Sequence, residues 1–133
     1  MARSAIAGVG VDLVEVVRIA ERFERTPAMR QRIFTEAELE ILDRGDSSEA
    51  RARSLAGRFA AKEAIMKSLG VGIGEVDFHD LVVVGGRGSQ PTVKLEGRAK
   101  KRAEELGVIE ILLSISHDGP MATAMAVASR ECS

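Results

Sequence analysis

Ionisable side chains stand in three places where the surrounding pattern is apolar or rich in glycine. Asp12 follows Gly8 and Gly10 at alternate positions, on the face of an extended segment opposite Val9, Val11 and Leu13. Glycines let a ligand or another backbone come close. Asp12 is therefore either a carboxylate facing such a neighbour or the N-cap of a helix beginning near Val14. Lys62 falls inside the apolar stripe that Leu55, Phe59, Met66 and Leu69 draw at helical spacing. Glu63 lies on its edge, with Lys67 one turn further on. Charges beside a buried face must be paired, bound to a metal or functional. The plainer alternatives are an exposed Glu63–Lys67 pair, contributing roughly a few tenths of a kcal/mol, and a Lys62 that carries its ammonium outward on its apolar stem. His117 continues the face of Ile111, Leu113 and Ile115 and precedes Asp118. It reads either as a histidine at the core edge, hydrogen-bonded to backbone, or as a binding group.

Two further features bear on ligands and partners. Gly70-Val71-Gly72-Ile73-Gly74 and Gly85-Gly86-Arg87-Gly88 have the composition of phosphate-wrapping loops, although neither matches a P-loop. Arg18, Arg22 and Arg25 are spaced i, i+4, i+7, opposite Val16, Ile19, Ala20 and Phe23. That stripe is either a solvated face balanced by Glu21 and Glu24 or a docking surface for an acidic helix.

The elements that position these groups can be read in order. Ala5 to Leu13 is a strand and Val14 to Arg25 a helix, which Pro27 interrupts. Ala28 to Phe34 forms a short helix, and Thr35 with Glu38 makes a capping box for another that runs to about Arg44. After the turn at residues 45–48, a long helix runs from about Glu49 to Leu69, closed by Gly70. Leu81 to Val84 and Thr92 to Leu95 are short strands around a glycine turn. Arg98 to Leu106 is a charged helix, and Val108 to His117 and Met121 to Ala128 form a hairpin through Asp118-Gly119-Pro120. The result is an α+β domain spanning residues 1–133, with the long helix central and packed on an antiparallel sheet.

Composition narrows the classes. Aromatic residues are only 3% of the 133, so the core is expected to be aliphatic and rich in alanine, and a small core of that kind gains burial by oligomerising. The Ala122, Ala124, Ala126 row permits close packing. A net charge of −1 argues against a general nucleic-acid binder. Cys132 has no second cysteine to pair with, so a reducing compartment fits. No apolar run approaches about 20 residues, and no signal-like segment opens the chain, so no membrane association and a cytoplasmic location are expected.

Three ordered segments together resemble the holo-acyl-carrier-protein synthase family of small phosphopantetheinyl transferases. They are Gly8-Val9-Gly10-Val11-Asp12-Leu13-Val14-Glu15; Arg58-Phe59-Ala60-Ala61-Lys62-Glu63-Ala64-Ile65-Met66-Lys67-Ser68-Leu69-Gly70; and Ser114-Ile115-Ser116-His117. Ile33-Phe34-Thr35 with Glu38-Leu39, and Gly88 with Pro91, fit weaker family positions. The resemblance implies a compact 4′-phosphopantetheinyl transferase domain that assembles as a homotrimer with active sites between subunits. It implies transfer of the phosphopantetheine arm of coenzyme A to a serine of apo-acyl carrier protein. Mg²⁺ would be held by Asp12 and Glu63. Glu63 is the expected base, with Asp118 behind it. Lys67 is expected at the reacting phosphate, Lys62 adding to its field. His117 is expected to bind a coenzyme A phosphate, Gly70 and Gly72 to border the cofactor, and Arg18, Arg22 and Arg25 to meet the carrier protein. Two other readings are a lobe of the larger, two-lobed transferases, which at this length would lack its second half, and a non-catalytic module that binds nucleotide or coenzyme A.

Overall fold

The computed structural model describes residues 5–86 and 89–132. The chain runs β1 (Ile6–Glu15), α1 (Val16–Arg25), α2 (Met29–Ile33), α3 (Glu36–Leu42), α4 (Ser48–Ser68), a 3₁₀ turn (Phe78–Asp80), β2 (Leu81–Val84), β3 (Thr92–Leu95), α5 (Gly97–Leu106), β4 (Val108–Asp118) and β5 (Met121–Arg130). The strands form two antiparallel sheets, β1-β5-β4 and β2-β3. No described helix is long and apolar enough to cross a membrane.

Small side chains decide how α4 meets the larger sheet. Gly10 lies opposite Ala126, which lies opposite Leu113; Gly8 lies opposite Ala128, which lies opposite Ile111. A Cβ on Gly8 would collide with the Ser68 carbonyl, and one on Gly10 with that of Ala64. The glycine face of β1 and the alanine row of β5 thus form a shallow floor for α4, whose own Ala56, Ala60, Ala61 and Ala64 are fully buried. The Ala122–Ala124–Ala126 row is filled by α4 of the same chain, so it is not the surface on which another copy can pack. The other face of β1 is left uncovered, with Val9, Val11 and Leu13 exposed at 52%, 53% and 64%, beside Met125 and Leu112.

Two expectations change. α4 has no single apolar stripe: it is buried on nearly all sides from Leu55 to Ser68, because α1, α3 and β2 cover the flank that the sheet leaves open. Nor is the core purely aliphatic. Phe23 sits 5.9 Å from Phe34 and 6.0 Å from Phe59 between ring centroids, and Phe59 stacks on Phe78 at 5.8 Å. These four rings, all the phenylalanines of the chain, join α1, the segment between α2 and α3, α4 and the 3₁₀ turn at a second hydrophobic cluster.

Candidate active site

β1 continues to Glu15, two residues beyond its expected end, and α1 starts at Val16, whose N–H donates to the Pro120 carbonyl at 2.9 Å. Asp12 therefore lies within a strand and caps no helix. Its side chain, mostly shielded, sits on the face that meets α4. There the Lys67 ammonium donates to Asp12 Oδ1 at 3.1 Å and to the Val11 carbonyl at 2.9 Å. The Thr123 hydroxyl donates to the Asp12 carbonyl at 2.9 Å and fixes the strand locally.

Glu63 is half-buried on α4 beside this pair. Burial, and then the Asp12 carboxylate, push its carboxyl above the usual range, while Lys67 and Arg22 pull the other way. The plainer alternative of an exposed Glu63–Lys67 pair gives way to Lys67–Asp12, since the lysine reaches across to β1 and satisfies a strand carbonyl as well. Two carboxylates that repel each other in a partly desolvated place, with one ammonium and Arg22 nearby, favour a bound cation or a proton. No group of three or more Asp, Glu, His or Cys suited to a metal occurs among the described residues. Asp12 and Glu63 as donors fit a hard cation that takes one or two carboxylates plus ligand oxygens and water, as Mg²⁺ does.

Lys62, one residue earlier, goes elsewhere. It is 0% exposed, and its ammonium donates to Glu38 Oε1 and to the Phe78 carbonyl, both at 2.9 Å, below the Phe34 ring at 5.1 Å. An ammonium so enclosed neither snorkels outward nor touches a ligand, which corrects the cofactor-binding role expected of it. The glycine loop after α4 bonds within the chain. Gly70, at φ +67°, ends α4: its N–H donates to the Lys67 carbonyl and that of Val71 to Met66, both at 3.1 Å. The Gly72 N–H donates to Glu75 Oε1 at 3.1 Å. Both glycine amides thus have partners within the chain.

A cavity of about 520 Å³ opens on another side of α4, lined by Arg53, Ser54, Gly57 and Arg58 of that helix, by Gly86, Ser89, Gln90 and Pro91, and by β4 through His117. His117 Nε2 lies 2.8 Å from the Arg53 carbonyl. Gly57 makes room for it: a Cβ there would come within 2.9 Å of Ile115 and 3.0 Å of His117 Nε2. Arg58, buried, donates to the Val83 carbonyl at 3.0 Å and to that of Gly85. Sequence reasoning gave no role to Gly57 or Arg58; a glycine inside a helix, destabilising by about 1 kcal/mol relative to alanine, was the available signal. Arg87 and Gly88, part of the expected glycine turn, lie outside the described residues.

The cavity lining includes none of Asp12, Glu63 and Lys67. Glu63 is six residues beyond Gly57, about 9 Å along the helix and about 240° around it. Asp118 lies opposite Met121, which lies opposite Glu15. That register puts Asp118 on the outer face of the sheet, away from Asp12 and Glu63, so within one chain it does not back up Glu63. Arg18, Arg22 and Arg25 are exposed on α1 as expected, while Val16, Ile19 and Phe23 anchor the helix. Arg22 leans inward, its guanidinium carbon 5.9 Å from the Phe59 ring centroid.

Comparison with known proteins covers nearly the whole chain. The sequence profile of the 4′-phosphopantetheinyl transferase superfamily matches residues 8–126. The chain is 46% identical to the holo-[acyl-carrier-protein] synthase of Micrococcus luteus over 126 residues, 94% of this chain and 93% of that one. Among solved structures, it is similar to the Plasmodium yoelii acyl carrier protein synthase with ADP bound, at a TM-score of 0.83 and 33% identity, covering 95% of this chain and 96% of that one. The Helicobacter pylori holo-[acyl-carrier-protein] synthase in complex with coenzyme A superimposes with a TM-score of 0.77 at 30% identity, over 91% and 99%.

Proposed function

The chain belongs to the 4′-phosphopantetheinyl transferase superfamily, and from that premise we propose that it is a holo-[acyl-carrier-protein] synthase, moving the phosphopantetheine group of coenzyme A to a serine of apo-acyl carrier protein. The observation that carries the reading is the meeting of Asp12, Glu63 and Lys67 between β1 and α4. The serine oxygen forms a bond to the phosphorus that carries the pantetheine. The bond from that phosphorus to the bridging oxygen breaks, and adenosine 3′,5′-bisphosphate leaves with the electron pair. Such transfers need alignment and charge neutralisation more than covalent help. The Asp12 and Glu63 carboxylates would hold Mg²⁺, which when bound neutralises charge on the pyrophosphate oxygens. Lys67, held by Asp12 and the Val11 carbonyl, presents its ammonium where the reacting phosphate gains charge. Glu63, beside the reacting phosphate, accepts the serine proton. In the cavity, Arg58 and His117 meet the phosphate of the nucleotide end.

The same geometry supports an assembly. The reaction residues and the cavity lie on different sides of α4, an arrangement that suits a site completed by a second copy. The exposed Val9, Val11, Leu13, Leu112 and Met125 offer an apolar face to other copies. A homotrimer on that face would bring the cavity of one copy to the carboxylates of the next. The carrier protein would dock on Arg18, Arg22 and Arg25, which sit just after the strand holding Asp12 and so lead its serine to the reaction centre. With its substrates in that compartment, the enzyme would act in the cytoplasm. The test is to incubate the protein with apo-acyl carrier protein, coenzyme A and Mg²⁺ and weigh the carrier. A gain of about 340 Da, the mass of the arm released by cleavage at the pyrophosphate, is expected from a three-chain species sized by light scattering. An unmodified carrier would refute the activity, and a fully active single chain would refute the shared site.

A further inference from the structure

Behind the cavity wall stands a buried charge cluster that the reaction does not use. Glu38, 1% exposed, spends both carboxylate oxygens on three elements: Oε1 accepts from the Thr35 N–H and from Lys62 Nζ, and Oε2 accepts from the Val83 N–H, each at 2.9 Å. Val83 in turn offers its carbonyl to Arg58 Nη1 at 3.0 Å, and Arg58 Nη2 donates to the Gly85 carbonyl. Gly85 and Gly86 take left-handed φ angles of +73° and +99°, which favour glycine, and the chain there folds around the guanidinium: a Cβ on Gly86 would lie 3.4 Å from both Arg58 and Pro91. Arg58, Gly86 and Pro91 all line the cavity. Lys62 and Arg58 both feel the Glu38 carboxylate, and Asp80 acts on Lys62 as well.

A buried ion pair is weak evidence of stability, since apolar residues of similar volume serve as well or better. Its reach into the cavity wall is the more telling feature. We propose that Glu38 is a positioning residue for coenzyme A: through Lys62 and Val83 it sets the Arg58 guanidinium and the Gly85–Gly86 turn against which the nucleotide end lies. The inference rests on the cavity being the coenzyme A site. Without Glu38, Lys62 repels Arg58 one turn away, and the β2 edge loses the bond that aims the Val83 carbonyl.

The double variant Glu38→Gln with Lys62→Met removes both charges and nearly keeps their volume, so a folded protein is expected. Its KM for coenzyme A, and its Kd for adenosine 3′,5′-bisphosphate by calorimetry, should rise at least about fivefold, the scale of a misaligned charge-assisted hydrogen bond. Its kcat and its KM for carrier protein should stay within about twofold, a split that simple loss of folded enzyme does not produce. Glu38→Asp keeps the charge but shortens the reach, and should stay weakened; full recovery would show that charge suffices and overturn the positioning role. His117→Ala, read alongside, separates the two layers. If it weakens adenosine 3′,5′-bisphosphate and the double variant does not, the positioning role alone is wrong. If His117→Ala and the double variant both bind normally, the cavity is not the nucleotide site and the reading beneath falls as well.

Discussion

Lys62 and Glu63 are neighbours on α4, and the fold puts them in opposite situations. Lys62 is fully enclosed, neutralised by Glu38 and capped by the Phe78 carbonyl. Burial lowers its proton affinity and Glu38 opposes the shift. Glu63 is half-buried, and its nearest carboxylate is a like charge, Asp12, which adds to burial in raising its proton affinity. One hundred degrees of helix rotation separates a satisfied charge from a frustrated one. The satisfied pair ties α3, α4 and β2 together. The frustrated pair has charge left over for a ligand. Unrelieved electrostatic conflict, more than the presence of charge, singles out Asp12 and Glu63 as the proposed reaction centre.

The sharpest way to break the comparison is to remove one member from each side. Asp12→Ala or Glu63→Ala should lower kcat/KM for transfer by at least about a thousandfold, the scale of losing preorganised charge at a reacting phosphate. Thermal melting of Glu63→Ala should stay near wild type because the deletion relieves a repulsion, while Asp12→Ala also loses its partly exposed pair with Lys67, a contribution of about 1 kcal/mol at most. Mg²⁺-dependent turnover near the wild-type rate in either variant would remove that carboxylate from the reaction.

The buried pair should respond the other way. Lys62→Ala or Glu38→Ala leaves a buried charge without its partner and is expected to cost about 3–5 kcal/mol of unfolding free energy in urea titrations. Replacing both, as Glu38→Leu with Lys62→Met, should recover most of that loss. If the single and double variants melt alike, the pair contributes packing only.

Much of this arrangement is legible in the sequence, and what is not has a common cause. Element boundaries fall near their turn residues: Gly70 and Gly107, both in the left-handed region, end α4 and α5, and Thr35 with Glu38 forms the expected capping box. Asp12, Glu63 and Lys67 meet, although from segments more than fifty residues apart. Periodicity did not tell which face of β1 turns inward. The glycine face does, because only a strand without side chains there admits the Ser68 and Ala64 carbonyls. The partner of Lys62 was equally hidden. Glu38 satisfies its own helix end and so looks locally complete, yet the same carboxylate reaches α4 and β2. Local signals such as caps, turns and alternation depend on nearby residues, whereas these two facts depend on how separate elements stack.

The smallest effect tests whether Glu63 is frustrated at all. A carboxyl whose proton affinity is raised by folding holds its proton more tightly folded than unfolded. The folded state then binds more protons, so this group's contribution to stability is greatest at low pH and falls as pH rises through the carboxylate range. Glu63→Gln keeps the shape and removes the titration. In metal-free buffer the variant should therefore melt above wild type near pH 7, by a few degrees at most because the side chain is only half-buried. The gap should close near pH 4, below the ordinary glutamate value of about 4.3. Adding Mg²⁺ should raise wild-type melting near pH 7 and leave Glu63→Gln almost unmoved, since the cation offsets a repulsion that the variant lacks. If the two proteins melted together at both pH values without metal, Asp12 and burial would not be straining Glu63. The contrast with Lys62 would then rest on exposure alone.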